Sequence, residues 1–381
     1  MKLTYGMIGG GPGAFIGVVH RNAIRLDDTA TLVCGSFSRF KDKSDVTAAE
    51  LGIDPARTYA TFEDMAASEG AREDKIDWVS IVTPNHNHYP SAKAFLNQGI
   101  NVVCDKPLTL TIDEALELKQ LAREKGCLFA VTHTYTGYVM VREARQLFRD
   151  GLIGDVRMVM AEYPQDWILD ALESATDMDR QWVTDPSLAG RGGVCADIGT
   201  HVQNMIEYIT GLKIDSLLCN LDFFEKNTPM DTNMETLVRF KGGATGILWA
   251  SQVAIGCDNG LKIRVFGTKG TLEFYQENCN DLKVTLRGQP PMTYSRGAEY
   301  LTEEASKHIR VPGGHPEGYT EAFGNLYKDF AAAVRDKKEG KTVNEEDYGY
   351  PTIDMGIAGV EFFNKCVDSS RAGGAWVKLD H

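Results

Sequence analysis

At 381 residues the chain exceeds what a single hydrophobic core usually serves, so two domains are expected. A hydrophobic fraction of 43% with 24% charged residues is ordinary for a soluble globular protein, and no long uniformly polar tract suggests disorder. The net charge of -13 excludes a broad nucleic-acid or anionic-membrane surface, though it leaves room for a small cationic pocket.

Leu3 to Ile8 reads as a strand, followed by a helix from Phe15 to Leu26, a strand from Thr31 to Ser36 and helices at Ser44–Leu51 and Phe62–Ser68. The segment "IDWVSIVTP" is a nearly continuous β-rich apolar run, as in a strand covered on both faces. A helix at Tyr89–Gln98, the strand "NVVCD", a helix at Thr111–Lys125 and the strand "LFAVTH" complete the first third. Such alternation predicts a parallel sheet wound with helices over residues 1–132, which the glycine loop "IGGGPGAFIG" after its first strand marks as a dinucleotide-binding Rossmann domain. After a helix from Val139 to Asp150 the rhythm changes. Seven strand-like segments between residues 156 and 288 are joined by turn signals such as Lys241-Gly242-Gly243, and a helix is expected within 353–370. This predicts a second α/β domain over 133–381 with a large open, mostly antiparallel sheet, whose last helix packs back on the first domain. No apolar run approaches the ~20 residues that span a bilayer, and the N-terminus shows no signal-peptide pattern, so a cytoplasmic protein that binds no membrane is expected. The eight cysteines form no Cys-x-x-Cys pair and read as reduced, buried thiols; no metal site is expected.

The first strand runs into "IGGGPGAFIG", where Gly9, Gly11 and Ala14 fit G-x-G-x-x-A. Glycines let backbone N–H groups approach a pyrophosphate, and the following helix turns its positive end toward it. Placed between a strand and a helix, the loop is expected to bind NAD(P) through Gly9, Gly11, Pro12, Gly13, Ala14 and Phe15. The acidic residue that would hold the adenosine ribose is missing at the end of the second strand, where Phe37 and Ser38 stand. Ser38 and Arg39, with Lys43, suit a 2′-phosphate, yet they read equally as an ordinary basic helix start, so NAD and NADP both stay open.

Three further segments complete a set: "TPNHNH" at 83–88, "DKP" at 105–107 and "GGVCADIGTH" at 192–201. Together with the glycine loop, and over essentially the whole chain, they resemble the Gfo/Idh/MocA family of oxidoreductases, the relatives of glucose-fructose oxidoreductase and inositol dehydrogenase. The resemblance implies NAD(P)-dependent interconversion of a secondary alcohol and a ketone on a sugar, glycoside or cyclitol, in a homodimer or homotetramer. It makes Lys106, Asp197 and His201 the catalytic residues, and sets Thr83, Pro84, Asn85, His88, Asp105 and Lys106 along the cofactor. The family has Glu where this chain has Asp105, one methylene shorter.

The chemistry needs such groups. Oxidising a carbinol requires a base within hydrogen-bond reach of its hydroxyl. An imidazole titrates near neutrality and suits that task; Lys106 can polarise the same oxygen or share the proton. Asp197, four residues before His201, shares a helical face with it and either orients the site or caps a helix. His86 reads as an exposed loop histidine. Polar and aromatic residues in "THTYTGY", "EYPQDW" and "GGHPEGY" make Tyr135, Tyr163, Gln165, Trp167 and His315, beside Asp197 and His201, candidates to hold a polyhydroxylated substrate, with Trp182 secondary. Two other readings stand: an enzyme that keeps its NAD bound and recycles it while acting on glycosides through a keto-sugar, and a non-catalytic dinucleotide-binding regulator.

Overall fold

The computed structural model describes residues 2–173, 181–226 and 228–380. They divide into two compact units, residues 1–133 with 323–357, and residues 134–322 with 358–381.

In the first unit, strands β1 (Leu3–Gly9), β2 (Ala30–Ser36), β3 (Trp78–Val82), β4 (Asn101–Cys104) and β5 (Phe129–Val131) form a sheet in the order β2-β1-β3-β4-β5. Every pairing in it is parallel. Helices α1 (Phe15–Leu26), α2 (Lys41–Glu50), α3 (Phe62–Gly70), α4 (His88–Asn97) and α5 (Ile112–Lys125) lie between these strands along the chain. Because β1 pairs with both β2 and β3, the strand order reverses there, and the loops after β1 and β3 diverge to leave the crevice where such sheets bind ligands. Strand β3 is buried at all five positions, as its unbroken apolar run predicts.

Segment 323–357 belongs to this unit, although a division after residue 132 leaves it in the second domain. The reason is packing. Phe330 meets the Trp78 ring edge-on at 5.8 Å, Tyr327 and Phe323 lie against His20, and Thr352 bridges to Ala130 of β5. The helix Ile353–Arg371 is shared: residues 353–357 belong here and the remainder to the second unit.

The second unit holds α6 (Val139–Arg149) and strands β6 (Val156–Pro164), β7 (Ile214–Asp222), β8 (Asn233–Phe240), β9 (Thr245–Ser251), β10 (Lys262–Gly267), β11 (Gly270–Tyr275), β12 (Asp281–Leu286), β13 (Met292–Ser295) and β14 (Val377–Lys378). Among the described residues they form one nine-stranded sheet, β13-β12-β11-β10-β6-β9-β8-β7-β14. The sheet is mixed: β6 and β9 run parallel, and the other pairings are antiparallel. Period-2 alternation is plain in β8, where Met234, Thr236, Val238 and Phe240 are buried while Glu235, Leu237 and Arg239 are exposed. The helix Gly199–Thr210, buried at every position, packs against α6, β6 and β9.

Candidate active site

In the first unit the candidate residues gather at the carboxyl ends of the strands. After β1 the chain turns through Gly9–Gly10–Gly11–Pro12–Gly13–Ala14 into α1. Gly9 has φ 84°, and a Cβ there would stand 2.6 Å from the Val82 carbonyl. A Cβ on Gly11 would stand 2.7 Å from the Phe37 carbonyl, so the loop lies directly on the end of β2. Arg21 Nη1 braces the turn from α1 by donating to the Gly10 carbonyl at 2.9 Å. Helix α1 begins with no side-chain cap and no acidic residue in its first turn, and Phe15 there is 70% exposed. Its leading N–H groups and positive end therefore face no side-chain acceptor of their own, which is the arrangement that takes an anion. Ser38 and Arg39 follow β2 and carry the exposed Phe40 beside them.

After β3 come Thr83, Pro84 and a short turn over Asn85–Asn87. Thr83 Oγ1 is buried with no hydrogen-bond partner among the described residues, an open polar group beside the glycine loop. His86 is half-buried in the turn, not exposed. His88 is fully buried. Its Nδ1 lies 2.7 Å from the Pro107 carbonyl and its Nε2 2.9 Å from the Thr83 carbonyl. It thus ties the loop after β3 to the loop after β4, and its ring is spent on backbone. Burial holds its pKa below the ordinary value, against the opposing pull of Asp105.

After β4 stand Asp105 and Lys106, with a cis peptide between Lys106 and Pro107. Asp105 Oδ1 accepts the Lys106 backbone N–H at 3.0 Å and the Thr132 hydroxyl at 2.6 Å, while Oδ2 lies 3.9 Å from His20 Nε2. The shorter acid is thus engaged by its own turn and by the end of β5. Behind it His20 Nδ1 meets the Tyr327 hydroxyl at 2.6 Å, and that hydroxyl donates to Ser80 Oγ at 3.1 Å. A cradle for a dinucleotide phosphate, an open helix end and an unspent threonine in one crevice fit a nicotinamide dinucleotide.

In the second unit the "GGVCADIGTH" segment forms a short helix, Val194–Asp197, then breaks at Ile198 and restarts at Gly199. Buried Asp231 holds this entry by accepting from the Gly193 N–H at 2.5 Å and the Cys195 N–H at 2.9 Å. Asp197 ends the first helix and does not cap the second, whose N-cap, Ile198, makes no side-chain bond. Gln252 Nε2 donates to Asp197 Oδ2 at 2.6 Å and fixes the carboxylate. The His201 ring lies 4.7 Å from Tyr135, edge to face, and 6.1 Å from Tyr163.

Asn259 is the hub of the polar side of this cluster. Its Oδ1 accepts from Tyr163 at 2.5 Å and from Gln165 Nε2 at 2.6 Å, while Trp167 Nε1 donates to Gln165 Oε1 at 2.9 Å. The hydroxyls of Tyr135 and Tyr163 are themselves hydrogen-bonded, and the Tyr163 phenol is pushed well above its ordinary pKa by burial. Tyr135, Tyr163, Gln165, Trp167 and His201 therefore come together within this unit. His315 does not join them: it is exposed, on a turn whose carbonyls Arg296 binds, and no contact links it to the cluster among the described residues. The Trp182 side chain lies outside the described residues. Asn259, Gln252 and Asp231 carried no motif in the sequence.

Residues 3–133 match the family described as oxidoreductase family, NAD-binding Rossmann fold, and residues 141–273 match the GFO/IDH/MocA C-terminal domain. A curated relative, the uncharacterized oxidoreductase YfiI of Bacillus subtilis (strain 168), is 34% identical over 380 residues, which is 99% of this chain and 97% of the relative. The chain belongs to the Gfo/Idh/MocA family.

Two solved structures share the whole architecture with this Gfo/Idh/MocA protein. An oxidoreductase from Sinorhizobium meliloti is 42% identical, with a TM-score of 0.88, over 99% of this chain and 100% of that one. An inositol dehydrogenase homolog from Azotobacter vinelandii, complexed with NAD+, is 34% identical with a TM-score of 0.94, over 100% and 98% of the two chains. The same homolog is also described with NADH and myo-inositol. As a Gfo/Idh/MocA oxidoreductase the protein is an enzyme whose N-terminal Rossmann fold binds a nicotinamide dinucleotide.

Proposed function

We propose that the enzyme interconverts a secondary alcohol and a ketone on a sugar, glycoside or cyclitol, with Lys106, Asp197 and His201 as its catalytic residues. The observation that carries this reading is the position of Lys106. It follows β4, one strand from the loop after β3, on a turn held by Asp105, Thr132 and His88 at the same sheet edge as the glycine loop. The similarity to a homolog described with NADH and myo-inositol supports the substrate class.

A nicotinamide dinucleotide, held by the glycine loop and the loops after β3 and β4, would supply the hydride acceptor for the carbinol carbon, or the donor in the reverse direction. The protein's share is the proton and the alignment. His201 takes the hydroxyl proton, its ring set edge-on against Tyr135. The Lys106 ammonium donates to the same oxygen and steadies its negative charge as the proton leaves. Asp197, anchored by Gln252, orients the reacting hydroxyl. Tyr135, Tyr163, Gln165 and Trp167 supply ring faces and directional hydrogen bonds suited to a polyhydroxylated, uncharged ligand. A homodimer or homotetramer is part of the proposal.

The test is a screen of inositols, sugars and glycosides with NAD+ and NADP+, followed at 340 nm. Turnover that falls by about a thousandfold in Lys106→Ala and in His201→Ala supports the reading, at the scale expected of lost acid–base and charge-stabilising groups. Unchanged turnover in either variant removes that residue from catalysis. Protein that carries a tightly held coenzyme and reduces none from solution would instead be an enzyme that recycles its cofactor.

A further inference from the structure

The end of β2 is where a Rossmann domain selects between the two nicotinamide coenzymes. A carboxylate there accepts from the ribose 2′-hydroxyl and repels a 2′-phosphate, whereas a cation does the reverse. In this chain β2 ends at Ser36, and Phe37 turns into the core at 2% exposure. The Phe37 carbonyl touches the glycine loop at Gly11, so the residues just beyond it stand beside the phosphate cradle. Those residues are Ser38, Arg39, Phe40, Lys41, Asp42 and Lys43.

The corner is organised. Ser38 Oγ accepts the Phe40 N–H at 3.2 Å, which sets the turn into α2. The exposed Phe40 ring then gathers two cations: the Arg39 guanidinium carbon lies 4.8 Å from its centroid and the Lys43 ammonium 5.5 Å. Two acids share α2 with them. Asp45 is taken by Lys41 at 2.7 Å, and Asp42 is exposed in the first turn. In a chain of net charge -13, two cations held on one ring at this corner stand against the general composition.

We propose that Ser38, Arg39 and Lys43 form a subsite for the 2′-phosphate, and that the enzyme takes NADP(H) in preference to NAD(H). The phosphate accepts from the planar guanidinium and from the ammonium, and the Ser38 hydroxyl donates to it while its oxygen keeps the Phe40 N–H. A bare 2′-hydroxyl meets no carboxylate at the end of β2, where Phe37 and Ser38 stand, so NAD(H) gains little from it. The inference rests on the dehydrogenase reading, and it separates this enzyme from the Azotobacter vinelandii homolog described with NAD+.

Protein stripped of nucleotide is titrated with NADPH and with NADH by nicotinamide fluorescence, and with 2′,5′-ADP and 5′-ADP by calorimetry; neither requires turnover. NADPH is expected to bind at least about tenfold tighter than NADH, and 2′,5′-ADP to exceed 5′-ADP by a similar factor, the scale of one charged hydrogen bond. The double variant Arg39→Ala/Lys43→Ala brings NADPH down to the affinity of NADH, and Ser38→Asp reverses the order. NADH binding as tightly as NADPH, or 2′,5′-ADP no tighter than 5′-ADP, overturns the inference and leaves the dehydrogenase reading intact. If neither coenzyme binds, both fall together.

Discussion

His20 sits on α1 without solvent exposure, and burial lowers its pKa to about 4, against the pull of Asp105. His133 at the end of β5 is lowered further, to about 3, by burial and then by the Lys106 charge, again opposed by Asp105. Both lie below the ordinary 6.5, so in that interval the unfolded chain binds a proton that the folded chain refuses. Stability is therefore unaffected by these groups above pH 6.5 and declines as the pH falls toward 4, by up to about 1.4 kcal/mol per pH unit for each. Urea midpoints measured from pH 7.5 to 5 are expected to drop accordingly, and His20→Gln, which keeps a partner for Tyr327, is expected to flatten the slope. A midpoint independent of pH above 5 would contradict this. The same residues show what sequence could disclose about the site. Lys106, Asp197 and His201, proposed as catalytic, stand in short motifs that a sequence displays. Thr132, Gln252, Asp231 and Asn259, which hold Asp105, Asp197, the Gly193–Cys195 turn and the Tyr163–Gln165 pair, lie tens of residues from those partners and have no spacing to betray them. His88 was visible in "TPNHNH", yet only its two carbonyl partners identify it as a fastening between loops.

Among elements, the loop between β1 and α1 carries the sharpest expectation. A methyl group on Gly11 meets the Phe37 carbonyl just beyond β2, which is backbone and cannot swing aside. Gly11→Ala is expected to cost about 1–3 kcal/mol, as overpacking does, and to weaken NADPH and NADH alike. Calorimetric melting and the fluorescence titration both report on it; an unchanged melting temperature with unchanged coenzyme affinity would mean that the loop is slack. The strands of the first sheet were legible to within a residue or two, because parallel strands buried throughout, as β3, β4 and β5 are, write continuous apolar runs. Helix α5 was legible from its start, where Thr111 and Glu114 form a capping box. Two features were not. The helix Tyr319–Lys338 follows a glycine-rich turn, contains Gly324, and starts at the end of "GGHPEGY", a segment that suggested a ligand loop. The parallel pairing of β6 with β9 is invisible locally, because alternation reports which face is buried and says nothing of the neighbour's direction.

At the scale of the whole molecule, the nine-stranded sheet leaves one face with an apolar row. Leu237 of β8 and Ile247 of β9 are directly opposed and 44% and 40% exposed, and Ile247 in turn pairs with Met160 of β6. Such a row is the kind of surface a second copy covers. Light scattering behind size exclusion is expected to give a dimer or tetramer, and Leu237→Asp/Ile247→Asp is expected to shift it toward monomer without unfolding the chain. A wild-type protein that is monomeric at micromolar concentration would refute this.

The make-up of the first unit also bears on how the polypeptide is born. Its five strands leave the ribosome ahead of the second unit, but the side chains that close it arrive only with residues 323–357. Until then the faces of Trp78 and His20 that Tyr327 and Phe330 will cover lie bare, the Val131 N–H lacks the Pro351 carbonyl, and the Phe129 N–H lacks the Glu345 carboxylate. The coenzyme-binding unit is thus begun before residues 134–322 are made and closed only after them. Any product that terminates before residue 323 carries an unfinished core, and it is a natural client for chaperones and proteases.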